Sequence, residues 1–125
     1  PLYSSAASDV YKRQADLNSV GQASLSLLKT QIEKDYLTIQ KATISGHSDA
    51  IGPVKLNLEL SNYRALRVVD YLRVLNFSPV DGFVAEGIGS DNPVVKKCGR
   101  KPTKENKICH APNRRVEISI SGIKR

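Results

Sequence analysis

The run Val116-Glu117-Ile118-Ser119-Ile120 alternates apolar and polar side chains without a break. Successive side chains of a strand point to opposite faces, so this segment predicts a strand with one dry face and one wet face. A sheet containing it needs cover on one side. Two stretches can supply that cover. Over residues 19–35, Leu25, Leu28 and Ile32 recur at three- and four-residue spacing on one helical face, with Gly21 weakening only the first turn. Over residues 56–76, Leu58, Ala65, Val68, Val69, Leu72 and Leu75 form a second apolar stripe, entered after Pro53 and broken by Ser78-Pro79. Between the helices, residues 38–45 carry the β-branched Thr38, Ile39, Thr43 and Ile44 and stop at Gly46, which reads as a strand. Residues 83–88 read as a short strand closed by Gly87 and Gly89. Strands alternating with helices predict an α/β (α+β) two-layer sandwich, a small mixed sheet with helices on one face. The 125 residues, 40% of them hydrophobic, suffice for one domain with a modest core.

The two ends and one internal stretch lie outside this pattern. Residues 1–14 show no strand alternation and only weak helical periodicity, and SSAASDVYKRQ looks like translated sequencing-adaptor read-through. They are expected to be a non-native or disordered leader, with the domain over residues 15–122 and a basic tail over 123–125. Residues 89–112 form a long polar segment with Pro93, Pro102 and Pro112; such loops are uncommon unless functional or pinned. Cys98 and Cys109 both fall in it, without C-x-x-C spacing and with only His110 nearby, so a zinc site would lack ligands. That leaves a disulfide closing a short loop, the mark of an oxidising compartment, or two unpaired thiols.

The net charge of +7 is concentrated at the C-terminal end, where residues 96–125 hold ten Lys/Arg against two Asp/Glu. A basic end can contact polyanions, or it can be a solvated loop. No aromatic residue lies in that stretch, so stacking platforms for nucleic acid are absent and no nucleic-acid partner is expected. No apolar run approaches the ~20 residues of a membrane helix, and no signal peptide is visible.

The residues with chemical potential cluster around Asp49. Gly46 and Gly52 flank it, so the backbone can turn tightly and its amides can approach a ligand. Arg64 follows in the early part of the second helix, where free amides and the helix dipole favour a bound carboxylate. Together they can clamp a zwitterion, acid on ammonium and guanidinium on carboxylate. Taken singly, Asp49 also fits a turn that caps the next helix, and Arg64 an ordinary surface arginine. His47, Ser48 and Asp49 offer the residue types of a triad. Adjacent residues point apart, however, so no enzyme, cofactor or metal is expected.

Gly46-His47-Ser48-Asp49, Gly52, Asn57, Leu60-Ser61, Arg64-Ala65, Gly87, Gly89, Pro93 and Asn113-Arg114-Arg115 together resemble the OmpA-like peptidoglycan-binding domain in order and spacing. The resemblance covers roughly residues 15–122 and implies a β-α-β-α-β-β order, with the first strand missing or replaced here. It implies a non-catalytic anchor that binds peptidoglycan through diaminopimelate of the peptide stem. Asp49 would take the ammonium, Arg64 the carboxylate, and Asn57 would lend side-chain hydrogen bonds. Arg114 would add positive charge from the opposite wall. Ile51 stands where many members carry a polar residue, which removes one hydrogen bond. The implied setting is the periplasm, attached to the outer membrane through an upstream parent protein, and that setting favours the Cys98–Cys109 disulfide.

Overall fold

The structure, a computed structural model, describes residues 6–14 and 16–125. The chain runs β1 (Ala6–Gln14), α1 (Ser19–Asp35), β2 (Tyr36–His47), α2 (Val54–Val74), β3 (Phe83–Gly89), α3 (Lys104–Cys109), a 3₁₀ turn (Ala111–Asn113) and β4 (Arg115–Lys124). The sheet order is β1-β4-β2-β3, with β4 antiparallel to both β1 and β2, and β2 parallel to β3. The parallel pair is joined by α2, the crossover such a pair needs. The expected mixed sheet with helices on one face is therefore present.

Register explains the two faces. Ala42, Ile44 and Gly46 of β2 stand opposite Ile120, Ile118 and Val116 of β4, and opposite Phe83, Ala85 and Gly87 of β3. These rows meet Leu25, Leu28 and Ile32 of α1 and Ala65, Val68, Val69 and Leu72 of α2 in one continuous core. The opposite face carries Ser45, Glu86 and Glu117, and Ser45 donates to Glu86 Oε1 at 2.8 Å. At the entry to α1, the Asn18 side chain accepts from Gly21 N at 2.9 Å, satisfying one of the free amides of the first turn.

The expectation of a disordered leader requires correction for residues 6–14. Ala6–Gln14 form a full edge strand, with nine residues in register with β4. A first strand is thus present at the edge of the sheet. Its alternation was hard to see because two of the four side chains that face the helices are Asp9 and Arg13; only Ala7 and Tyr11 pack on the core. Asp9 is nonetheless paired: Tyr36 Oη donates to it at 2.6 Å, and Lys124 Nζ lies 2.6 Å away. The basic tail is also shorter than expected, since Ile123 and Lys124 belong to β4 and Arg125 N donates to Asp35 O at 3.0 Å. Residues 1–5 and Ala15, the expected first residue of the domain, lie outside the described residues.

The expected bridge is present: Cys98 is bonded to Cys109, pinning the long segment between β3 and β4. Further bonds hold the same segment. Asn113 accepts from Val95 N (2.8 Å) and donates to Val95 O (3.0 Å). The Asn113 amide also donates to His110 Nδ1 (3.0 Å), which leaves the proton on Nε2, and Nε2 donates to Gly99 O at 2.9 Å.

Helix α2 approaches the sheet closely over Gly46 and Gly87. A Cβ at Gly46 would collide with the Ser61 carbonyl, and one at Gly87 would stand 2.6 Å from Asn62 N. Overpacking a rigid contact costs roughly 1–3 kcal/mol, and here the obstacle is helix backbone. Gly46→Ala should therefore lower unfolding stability by about 3 kcal/mol in urea titrations. Gly52→Ala has open space around it and pays only for its positive φ of 88°, about 1–2 kcal/mol. Equal losses at the two positions would refute the packing explanation. Reducing Cys98–Cys109, eleven positions apart, should remove roughly 2–3 kcal/mol in the chain-entropy picture. An unchanged melting temperature in reductant would contradict it.

Candidate functional site

The loop between β2 and α2 is built on the end of β3. Ser48 N donates to Gly89 O at 2.8 Å, while Gly89 N donates to Ser61 Oγ at 3.0 Å, so β3 is tied to both the loop and α2. Ser61 in turn donates to Leu58 O at 2.8 Å and is fully buried. Within the loop, Ile51 N donates to Asp49 Oδ1 at 2.9 Å, and Asn57 Nδ2 donates to Ile51 O at 2.9 Å. The positive φ at Gly52 completes the reversal into α2.

These bonds assign most of the expected residues. Asp49 caps its own turn at Ile51 and does not cap α2, whose N-cap is Pro53 without a side-chain bond. Its second oxygen, Oδ2, accepts from Arg114 Nη1 at 3.1 Å across the cleft. The Arg114 guanidinium, expected on an opposite wall, is thus joined directly to Asp49. Asn57 is buried and spends its amide on the loop, so it shapes the pocket from beneath. Gly46 stands in β2 against Ser61 and does not line the pocket. Arg64 sits ten residues after Val54, at the middle of α2 rather than near its start. The free amides of a helix belong to its first turn, so at Arg64 only the guanidinium is left to offer to a ligand. It makes no hydrogen bond or ion pair among the described residues.

Asp49, Ile51, Gly52, Arg64 and Arg114 line one open pocket of about 400 Å³. Pro53, Leu56 and Leu60 give it apolar walls, and Lys107 of α3 closes one side. A smaller hollow beyond Arg64 and Arg114 brings Gln14 and Asp16 to the same two arginines. The Asp49 carboxylate still has lone pairs to offer beyond its two bonds. The pocket therefore presents one oxygen acceptor and several cations around a partly apolar floor. Lys107 carried no sequence signal, because one lysine among the six Lys/Arg of the polar segment 89–112 has no periodicity to mark it. Ser61 entered only through the family resemblance, because its hydroxyl role depends on β3 arriving beside it.

Arg115 points the other way, as neighbours on a strand do. It is buried under the segment after β3, donating to Glu117 Oε2 at 2.6 Å, Asn92 O at 2.8 Å and Asn113 O at 3.3 Å. His47 pairs with it across the strands, and neither ring nitrogen has a partner. Ser48 Oγ donates to the Asp49 carbonyl instead, so His47, Ser48 and Asp49 form no relay. Among the described residues no cluster of His, Cys, Asp or Glu could hold a metal, and no helix is long and apolar enough to cross a membrane.

Residues 11–107 match the OmpA family. This chain belongs to that family. It is 38% identical over 113 residues to outer membrane protein A of Serratia odorifera, covering 88% of this chain and 46% of that protein. The chain thus spans under half the length of that relative. Among solved structures it is similar to the peptidoglycan-associated lipoprotein of Burkholderia pseudomallei (TM-score 0.64, 20% identity, 87% of this chain and 88% of that one). It is also similar to the cell wall anchor of the T6SS from Pseudomonas aeruginosa (TM-score 0.65, 23% identity, 97% of this chain and 89% of that one). At these identities the two structures establish the OmpA-like fold.

The buried His47 carries a pH dependence. Burial and then Arg115 hold its pKa below the ordinary value, outweighing Glu117 and Glu86, which pull it up. Nε2 lies 3.8 Å from Glu117 Oε2, but the ring is neutral, so this is no ion pair. The unfolded chain, with a histidine pKa of about 6.5, then takes up the proton first. Stability is fully present above that value and falls as pH drops through it. Glu117 is held low: Arg115 outweighs the burial that pushes it up, so its own loss begins only in more acid solution. The urea midpoint should fall between pH 7 and 5 in the parent and flatten in His47→Phe. An equal slope in both would rule out this histidine as the source.

Proposed function

We propose that this domain binds peptidoglycan, without catalysis, through the diaminopimelate of the peptide stem, and so anchors an outer-membrane or periplasmic protein to the cell wall. The observation that carries this reading is the charge arrangement of the Asp49 pocket. One carboxylate held by Ile51 N and Arg114 faces Arg64, a guanidinium with no partner among the described residues, across a partly apolar cleft. An ammonium can add to Asp49 while a carboxylate meets Arg64 in bidentate fashion. The rigid loop pre-pays the ordering that such recognition would otherwise cost. Membership of the OmpA family, and the cell-wall names of the two structural relatives, agree with it.

Co-sedimentation with purified sacculi tests it. The parent should sediment and be released by free diaminopimelate. Truncating one partner of a desolvated charge contact typically costs about 2–5 kcal/mol, so Asp49→Asn and Arg64→Ala should each abolish sedimentation. Both should keep the parent's circular dichroism. Asn preserves the acceptor for Ile51 N, and Arg64 holds no structural bond among the described residues. Parent-like binding by both folded variants would overturn the assignment. Loss of parent binding at moderate salt, with no competition by diaminopimelate, would point instead to polyanion contact through the basic segment.

A further inference from the structure

Residues 96–109 hold six Lys/Arg against one acid, Glu105, and so carry a formal +5 of the chain's +7. The cations are Lys96, Lys97, Arg100, Lys101, Lys104 and Lys107, and all six are exposed. None makes an ion pair among the described residues. The charge sits on a rigid frame. The Cys98–Cys109 bridge closes the loop. Inside it, Asn106 donates to Lys101 O at 3.0 Å and accepts from Gly99 N at 3.2 Å, while Thr103 Oγ1 accepts from Asn106 N at 3.1 Å. His110 donates to Gly99 O at 2.9 Å and Asn113 to Val95 O at 3.0 Å, which ties the loop to the mouth of β4. On α3, Lys104, Lys107 and Ile108 lie at three- and four-residue spacing and so share one face. Ile108 is 65% exposed there, an aliphatic side chain left in solvent among cations.

Six like charges held together repel one another, and an anionic surface relieves that repulsion. We propose that this disulfide-closed loop docks on the surface of an anionic phospholipid bilayer, with its cations over the headgroup phosphates and Ile108 entering the interface. The residue types choose this partner over an acidic protein. Protein interfaces are anchored by aromatic residues and arginine and are depleted in lysine. Here five of the six cations are lysine, and residues 96–125 carry no aromatic. An ammonium is a point charge without a preferred plane, suited to a diffuse layer of phosphates rather than to one bidentate partner. Clusters of roughly four to eight Lys/Arg at a membrane surface attract anionic lipid, each strengthening binding about fivefold. An exposed aliphatic side chain among them adds apolar burial, which a soluble polyanion cannot supply. The loop is ordered before contact, so docking pays little for ordering it. None of this depends on what the Asp49 pocket binds.

Vesicle flotation at low salt tests it with the full chain. The parent should float with vesicles of equal parts phosphatidylcholine and phosphatidylglycerol and stay behind with phosphatidylcholine alone. It should be released as added salt shortens the Debye length. Lys101→Gln combined with Lys104→Gln touches no residue that lines the Asp49 pocket. That pair of changes should keep the parent's circular dichroism and weaken mixed-vesicle binding roughly twentyfold, at about fivefold per charge. Arginine at both positions should restore it. Ile108→Ser should weaken vesicle binding severalfold and leave binding to soluble polyglutamate unchanged. Parent-like flotation of the double glutamine variant, or equal binding to both vesicle types, would overturn the proposal. Polyglutamate bound as tightly as mixed vesicles, with Ile108→Ser without effect on either, would assign the loop to a soluble acidic partner and overturn lipid docking. The vesicles contain no wall material, so each of these outcomes leaves the sacculus experiment to decide the diaminopimelate reading by itself.

Discussion

The close seating of α2 on the β2–β3 pair is the contact on which the rest of the molecule depends. It exists because Gly46 and Gly87 leave no Cβ between sheet and helix. At that distance Ser61 Oγ reaches Gly89 N, and Gly89 O takes Ser48 N, so the end of β3 fixes where the Asp49 loop begins. The same seating sets the rotation of α2. Ala65, Val68, Val69 and Leu72 turn into the core, and Arg64, one residue before Ala65, is left at the edge where helix meets loop. A looser helix would keep the apolar burial in part but would misplace every side chain of the pocket, since packed interiors transmit small shifts.

From that platform the loop is organised by polar bonds rather than by burial. Asp49 closes its own turn, Asn57 holds the Ile51 carbonyl from below, and Arg114 reaches over from the start of β4. The site thus draws on the β2–α2 loop, the middle of α2, α3 and the mouth of β4, which come from distant parts of the chain. Its opposite support is the Asn113–His110–Val95 network together with the disulfide. These bonds order a long segment that has no apolar core of its own.

Much of this was legible in the sequence where side-chain periodicity reports burial. The two helices and the strands over residues 38–45, 83–88 and 116–120 each appear within a few residues of their expected limits. The edge strand β1 was not legible. An edge strand needs only one neighbour for its backbone bonds, and Asp9 and Arg13 occupy two of its inward positions, compensated by Tyr36 and Lys124 for Asp9. The short helix α3 was hidden for a related reason. It buries no residue fully, and what defines it is the Thr103 cap and the cross-links around it.

For the site, the sequence by itself determined the cast: one acid in a glycine-flanked turn, an arginine on the next helix, and a doubled arginine before the last strand. It also determined the outward alternation that separates Arg114 from Arg115, because the period of a strand is a local property. The tertiary structure decided the roles. Only the fold could show that Asp49 is already joined to Arg114, that Asn57 serves the loop, that Gly46 serves the helix contact, and that Lys107 completes the pocket. Each of those facts is a distance between segments far apart in the chain, and such distances are fixed by packing and long-range hydrogen bonds, which leave no periodic trace in a sequence.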